Sequence, residues 1–135
     1  MASREASCSC GNLRVACEGD PKYVLACHCL DCQRRTGSVF GVSAYFRQKQ
    51  IAASGADKIF VRDGQDGRKL QIHFCPQCGT SLYWTLDMRP GFIGVAAGAF
   101  ADPDFPAPAH SIWEQSRHAW LDFAHQPSRQ DRQPG

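Results

Sequence analysis

The chain has 135 residues, 43% of them hydrophobic, and a formal net charge of +2. That length suits one small domain with a modest core. The 15 Lys and Arg are dispersed among 13 Asp and Glu, which argues against a nucleic-acid partner, because phosphate binding needs clustered cations. The longest apolar stretch, Phe92 to Ala101, is about half a membrane span, so no membrane partner is expected. The opening MASREASCSC has no apolar h-region, so the expected compartment is the reducing cytoplasm.

In chain order, Leu13 to Cys17 places Leu13, Val15 and Cys17 on one face and predicts a strand. Leu30 to Thr36 is the one convincing helical piece, with Gly37 as its stop. Val39 to Phe46 is again β-like. Lys58 to Arg62 and Lys69 to Phe74 flank Asp63-Gly64-Gln65-Asp66-Gly67, whose two Asp-Gly pairs signal a hairpin. Leu70, Ile72 and Phe74 share a face, which leaves His73 for the surface. Ser81 to Leu86 and Phe92 to Ala97 read as strands around a Pro90-Gly91 turn. Asp102 to Pro108 is an extended loop, and Ser111 to Trp113 and Trp120 to Phe123 pack apolar groups late in the chain. The polar HQPSRQDRQPG after Ala124 reads as a flexible tail over 125–135, following a domain over 1–124. The fold class is mainly β.

Eight cysteines decide the chemistry. Cys8 and Cys10 form C-x-C, Cys27, Cys29 and Cys32 form C-x-C-x-x-C, Cys75 and Cys78 form C-x-x-C, and Cys17 stands alone. Disulfides between residues two or three apart are strained. Thiolates at these spacings suit a tetrahedral soft-metal site, with zinc as the default ion. Phe74 to Gly79 reads as a zinc knuckle in which Pro76 stiffens the turn and Gly79 permits a positive φ. A redox pair of this spacing opens a helix, whereas here a strand-like run follows.

A strand aims alternate side chains one way, so Cys8 and Cys10 can complete the four ligands of a closed site with Cys75 and Cys78. Cys27, Cys29 and Cys32 then form a group of three with one free position, the arrangement of a zinc that does chemistry. Cys17 is either a fourth ligand that closes this second site or a buried small hydrophobe, and the buried reading is favoured.

These pieces resemble the glutathione-dependent formaldehyde-activating enzyme family, also called the centromere-protein-V family. The resemblance rests on Cys8-Ser9-Cys10-Gly11, on Cys27 to Ser38, on Phe74 to Gly79, on Gly98-Ala99-Phe100, and on Pro106 to Trp113 with Trp120. It runs from about Ser7 to Phe123. It implies a tent-like fold of several curled antiparallel sheets in one small domain with two zinc ions, one held by Cys8, Cys10, Cys75 and Cys78 and one by Cys27, Cys29 and Cys32. It implies joining of a small-molecule thiol to a small carbonyl: glutathione as co-substrate and formaldehyde, giving S-hydroxymethylglutathione. The reverse is carbon–sulfur bond cleavage, so the class is a carbon–sulfur lyase. The alternative is a non-catalytic zinc-binding or glutathione-carrier module. No motif marks glutathione-binding residues or an oligomeric state.

On the enzymatic reading, Cys27, Cys29 and Cys32 are the catalytic residues. Three thiolates give a weak Lewis acid, better suited to holding an incoming thiol as thiolate than to activating water. In a competing version one of these cysteines leaves the metal and reacts itself. Arg34 and Arg35 either offset the negative charge, hold a substrate carboxylate, or form a solvated helix face. His28, between two ligands, points away from the metal on an extended segment, a role as ligand or proton carrier being the less favoured reading. His110 and His118 either line a pocket with Trp113 and Trp120 or join the core. Ser38 and Thr80 are read as bonding sulfur or backbone.

Overall fold

The structure, a computed structural model, describes residues 2–64 and 67–132. In chain order its elements are β1 (Ser3–Ser7), β2 (Arg14–Glu18), β3 (Tyr23–Cys27), α1 (Leu30–Thr36), β4 (Gly41–Arg47), β5 (Ile51–Ser54), β6 (Lys58–Asp63), β7 (Lys69–Phe74), β8 (Ser81–Leu86), β9 (Phe92–Ala96), β10 (His110–Ile112) and β11 (Ser128–Arg129). The fold is mainly β, with one short α-helix among the described residues. No helix among them is long and apolar enough to cross a membrane. The chain forms two compact units, Met1–Lys22 with Ala44–Phe105, and Tyr23–Ser43 with Pro106–Gly135.

In the first unit, β1, β2 and β5 form an antiparallel sheet in the order β1-β2-β5. β2 buries Val15 and Cys17 and exposes Arg14, Ala16 and Glu18, the period of a half-buried strand. Cys17 is fully buried on this sheet and joins neither sulfur cluster, as the small-hydrophobe reading expects. β6 to β9 make an antiparallel meander. Asp63 pairs with Lys69 across the expected hairpin, whose Gln65 and Asp66 lie outside the described residues. The core of this unit includes Phe46, Ile72, Leu82, Trp84, Val95 and Phe100. Gly94 admits the Trp84 ring, since a Cβ there would lie 2.3 Å from Trp84 Nε1.

The second unit pairs its strands in parallel: β10 runs beside β3 and beside β11. β3 is a continuous apolar run, buried from Val24 to Cys27, so it lacks the alternation that marks a half-buried strand. β11 falls within the residues read as a tail and lies against β10. α1 has the expected bounds, and Gly37, at φ 73°, donates its N–H to the Gln33 carbonyl to end it.

Candidate metal centres

The sulfurs of Cys8, Cys10, Cys75 and Cys78 all lie within 4.8 Å of one another. Cys8 and Cys10 sit on the turn between β1 and β2, and Cys75 and Cys78 on the turn between β7 and β8. The turns are built alike. In the first, the Cys8 N–H donates to the Leu13 carbonyl and the Gly11 N–H to the Cys8 carbonyl. In the second, the Cys75 N–H donates to the Thr80 carbonyl and the Gly79 N–H to the Cys75 carbonyl. Gly11 and Gly79 adopt φ of 85° and 79°, the left-handed conformation such tight turns require. Backbone N–H groups then reach sulfur: Leu13 donates to Cys8 at 3.2 Å, Gln77 and Cys78 to Cys75 at 3.4 and 3.5 Å. Three bonds knit the turns together, Ser9 N–H to Thr80 Oγ1 at 3.1 Å, Thr80 Oγ1 to Ser9 Oγ at 3.1 Å and Asn12 Nδ2 to Gln77 Oε1 at 2.5 Å.

The sulfur spacing fits an ion. Cys10 Sγ lies 3.6 Å from both Cys8 Sγ and Cys75 Sγ. A tetrahedral ion with zinc–sulfur bonds of about 2.3 Å would space its sulfurs about 3.8 Å apart. All eight cysteines are free thiols. Such thiols obstruct one another's ionisation when no cation is among them. The Asn12 N–H lowers Cys10, but burial and contacts with Cys8, Cys75 and Cys78 together push it up to about 11. Cys78, led by the Thr80 hydroxyl and then by backbone donors, is pulled down to about 5. A divalent cation resolves this opposition by holding all four as thiolates.

Cys27, Cys29 and Cys32 form the second group, again with sulfurs within 4.8 Å. Cys27 is the last residue of β3 and is buried. Cys29 is the N-cap of α1, and its sulfur accepts the Cys32 N–H at 3.3 Å. One helical turn therefore brings Cys32 back beside Cys29, and the strand end supplies Cys27. Contacts with Cys29 and Cys32, then burial, hold the Cys27 thiol far above its ordinary range. This donor set also fits a soft cation. Gly41 lets the chain pass close to α1: a Cβ there would meet Arg35 Nη2 at 2.7 Å and Cys32 Cβ at 3.6 Å. Arg34, by contrast, is exposed.

His28 lies outside the sulfur cluster, in a network that no local sequence signal marks. The ring is fully buried in a triangle with Phe40 and Phe123, 5.8 Å from each ring centroid, the two phenyl rings lying 5.6 Å apart. Its Nε2 is 2.9 Å from Ser111 Oγ, and the Ser111 hydroxyl donates to Glu114 Oε2. Serine has one hydroxyl proton, so Nε2 must be the donor to Ser111. Nδ1 is then an acceptor, buried with no hydrogen-bond partner, a loss of about 1–3 kcal/mol. Glu114 also accepts from Arg117 Nε at 2.9 Å and from Arg129 Nη1 at 3.2 Å. Trp113, just before it, is left-handed at φ 57°, which costs a non-glycine residue about 1–2 kcal/mol.

Gln33 makes a second tie in this unit. Its Nε2 donates to the carbonyls of His28, at 3.0 Å, and Ser116, at 3.2 Å, while its Oε1 accepts from His118 Nε2 at 3.1 Å. His118 lies edge-on to Trp120, whose side chain is exposed rather than packed. His73, expected at the surface, is half-buried: Nδ1 pairs with Asp57 and the ring stacks on Tyr83 at 4.2 Å. Asp57 precedes β6, and that distant pairing reversed the expectation. Thr80 Oγ1 bonds the Cys78 sulfur at 3.3 Å, as read, whereas at Ser38 the backbone N–H makes the bond, to Thr36 Oγ1.

The class these features define is a small, mainly β protein with two cysteine clusters, one of four sulfurs and one of three. A family model described as glutathione-dependent formaldehyde-activating enzyme matches residues 3–116. Two fungal proteins named for that activity are similar. One, from Fusarium vanettenii, is 27% identical over 117 residues, covering 80% of this chain and 62% of its own. The other, from Aspergillus oryzae, is 26% identical over 120 residues, covering 82% and 62%. This chain thus spans less than two thirds of the length of these relatives. A Rhodobacter sphaeroides protein of known crystal structure shares the fold, with a TM-score of 0.51 and 19% identity over 70% of this chain and 85% of that one. The chain belongs to the glutathione-dependent formaldehyde-activating enzyme family.

Proposed function

We propose that the chain is a zinc-dependent carbon–sulfur lyase-type enzyme acting on thiol adducts of small carbonyls, with glutathione as the thiol and formaldehyde as the carbonyl. The observation that carries this reading is the three-sulfur cluster. Cys27, Cys29 and Cys32 converge, and among the described residues no fourth His, Cys, Asp or Glu donor joins them. A closed structural site takes four protein ligands, whereas three leave a place for an external sulfur. Cys8, Cys10, Cys75 and Cys78 would hold a second ion with no place to spare. The names of the family and of its fungal members favour the same substrates.

A zinc ion bound by the three cysteines would supply electrostatic stabilisation of a thiolate near neutral pH. The remaining work belongs to the chain. Cys27, Cys29 and Cys32 would hold the ion. Arg34, exposed on α1 two residues after Cys32, would offer a guanidinium to a carboxylate of the thiol. In the forward direction the thiol sulfur bonds to the carbonyl carbon, the carbon–oxygen π bond breaks, and the thiol proton ends on that oxygen. In reverse the carbon–sulfur bond breaks and the proton returns to sulfur. The expected setting is the cytoplasm.

The test is NMR exchange spectroscopy of a glutathione–formaldehyde mixture with the zinc-loaded protein. Exchange between free glutathione and S-hydroxymethylglutathione above the uncatalysed rate supports the proposal. Two zincs per chain with no acceleration overturns it in favour of the zinc-binding or glutathione-carrier module, and calorimetric titration with glutathione separates those two.

A further inference from the structure

We propose that His28 is a positioning residue for the three-sulfur site: its hydrogen bond to Ser111, anchored on Glu114, fixes the Cys27–Cys29 peptide so that both thiols converge with Cys32. The inference rests on the reading that these cysteines hold an ion. In a C-x-C segment the two cysteines face one way only if the residue between them is held the other way. Here that residue is a fully buried imidazole. Its backbone N–H donates to Ile112 at 3.1 Å, its carbonyl accepts from Gln33, and its Nε2 reaches Ser111 at 2.9 Å. Every polar group of the residue except Nδ1 is therefore tied down.

An apolar side chain packed against Phe40 and Phe123 would fill this space without leaving a lone pair unpaired. Packing alone therefore does not explain a histidine. The downstream end is equally constrained. Glu114 is fixed by Arg117 and Arg129, and the left-handed Trp113 turns the chain into the 3-10 helix that Glu114 opens. A buried polar chain with all but one group satisfied specifies a single arrangement, and loss of one link leaves the next group unpaired. Groups that orient metal ligands typically account for about 10–100-fold in metal affinity.

The test uses the full chain with Co²⁺ in place of zinc and the variants His28→Phe, His28→Gln and Ser111→Ala. Chelator competition, read on the sulfur-to-cobalt absorption, resolves the two sites. His28→Phe keeps an aromatic ring, slightly larger, and loses the donor, whereas His28→Gln puts an amide N–H near the Nε2 position. The expected result is about 10–100-fold weaker binding at the three-sulfur site in His28→Phe and Ser111→Ala, with recovery to within about threefold of wild type in His28→Gln. The four-sulfur site stays near its wild-type affinity, while Tm falls by several degrees because a buried polar group loses its partner.

Unchanged affinity in His28→Phe and Ser111→Ala overturns the proposal. So does a His28→Gln variant no better than His28→Phe, or a parallel loss at both sites. If the wild-type chain binds one ion only, at the four-sulfur site, the enzymatic reading fails separately. The positioning claim is then read by iodoacetamide labelling: Cys27 should react about tenfold faster in His28→Phe with Cys75 unchanged, and an unchanged Cys27 rate overturns it.

Discussion

The two sulfur clusters do opposite things to the chain that carries them. Cys8 and Cys10 are separated from Cys75 and Cys78 by more than sixty residues, and Cys10 Sγ meets Cys75 Sγ at a sequence separation of 65. An ion held there closes a long loop and removes much of the unfolded chain's freedom. Cys27, Cys29 and Cys32 lie within one strand end and one helical turn. An ion held there closes almost nothing. The supports differ in degree: three backbone N–H groups reach the Cys8 and Cys75 sulfurs and one reaches Cys29, while the three-sulfur segment is held besides by the side chains of His28 and Gln33. A site that staples the fold is committed to keeping its ligands. A site that staples nothing is free to take a fourth from solution.

The largest expected effect breaks the comparison on the stapling side. Cys75→Ala should leave the first unit without its cross-link, with loss of cooperative unfolding in circular dichroism and of one zinc per chain by elemental analysis. Structural zinc sites in small domains contribute about 10–16 kcal/mol of apparent binding energy, more than most domains hold in reserve. A Cys75→Ala chain that unfolds like wild type would remove the distinction between the clusters. Next comes Cys32→Ser, which should lower the glutathione–formaldehyde exchange rate by at least about 100-fold, as expected for loss of a group acting only on the reacting thiol. Its Tm should fall by no more than a few degrees, because a ligand set confined to residues 27–32 constrains little else. Retained zinc content with a wild-type exchange rate would sink the assignment.

This contrast was half legible in the sequence. Cysteine spacing partitions the sulfurs into the two groups the structure assembles, since C-x-C and C-x-x-C geometry is local. Local signals also mark α1, ended by Gly37, and the β6–β7 hairpin, announced by its Asp-Gly pairs. What stayed hidden was long-range. β3 has no alternation because it is buried along Val24 to Cys27, and β10 and β11 are too short to carry a period. The pairing of His28 with Ser111 spans 83 residues, and Arg129, in a stretch that composition alone marks as a tail, joins Glu114. No window of sequence contains both ends of such a contact.

A third variant tests the scaffold alone. Gly94→Ala should cost about 1–3 kcal/mol, the usual range for overpacking, because the new methyl would lie 2.3 Å from Trp84 Nε1 and 2.9 Å from Tyr45 Cε1. Both rings are buried and hydrogen-bonded to each other at 3.4 Å, so neither moves away without loss. The urea midpoint should drop while the exchange activity of the folded protein holds. Equal midpoints would mean that this part of the core yields more than its spacing allows.

The smallest expected effect lies in acid, and it sharpens the account of the second unit. Burial raises the Glu114 carboxyl, but the Ser111 hydroxyl and then the Arg117 and Arg129 guanidiniums overcome it and hold the group below its ordinary 4.5. A carboxyl depressed in the folded state adds stability that is complete above its unfolded value and fades as pH falls through the folded one. Glu114→Gln should therefore be less stable than wild type at neutral pH, with the gap narrowing below about pH 4.5. Urea midpoints of the two proteins, taken side by side from pH 7 to pH 3, measure the gap directly, and acid loss of metal from the cysteines is common to both. A gap that stays constant across that range would mean that the Glu114 charge contributes nothing and that its hydrogen bonds alone hold Ser111 in place.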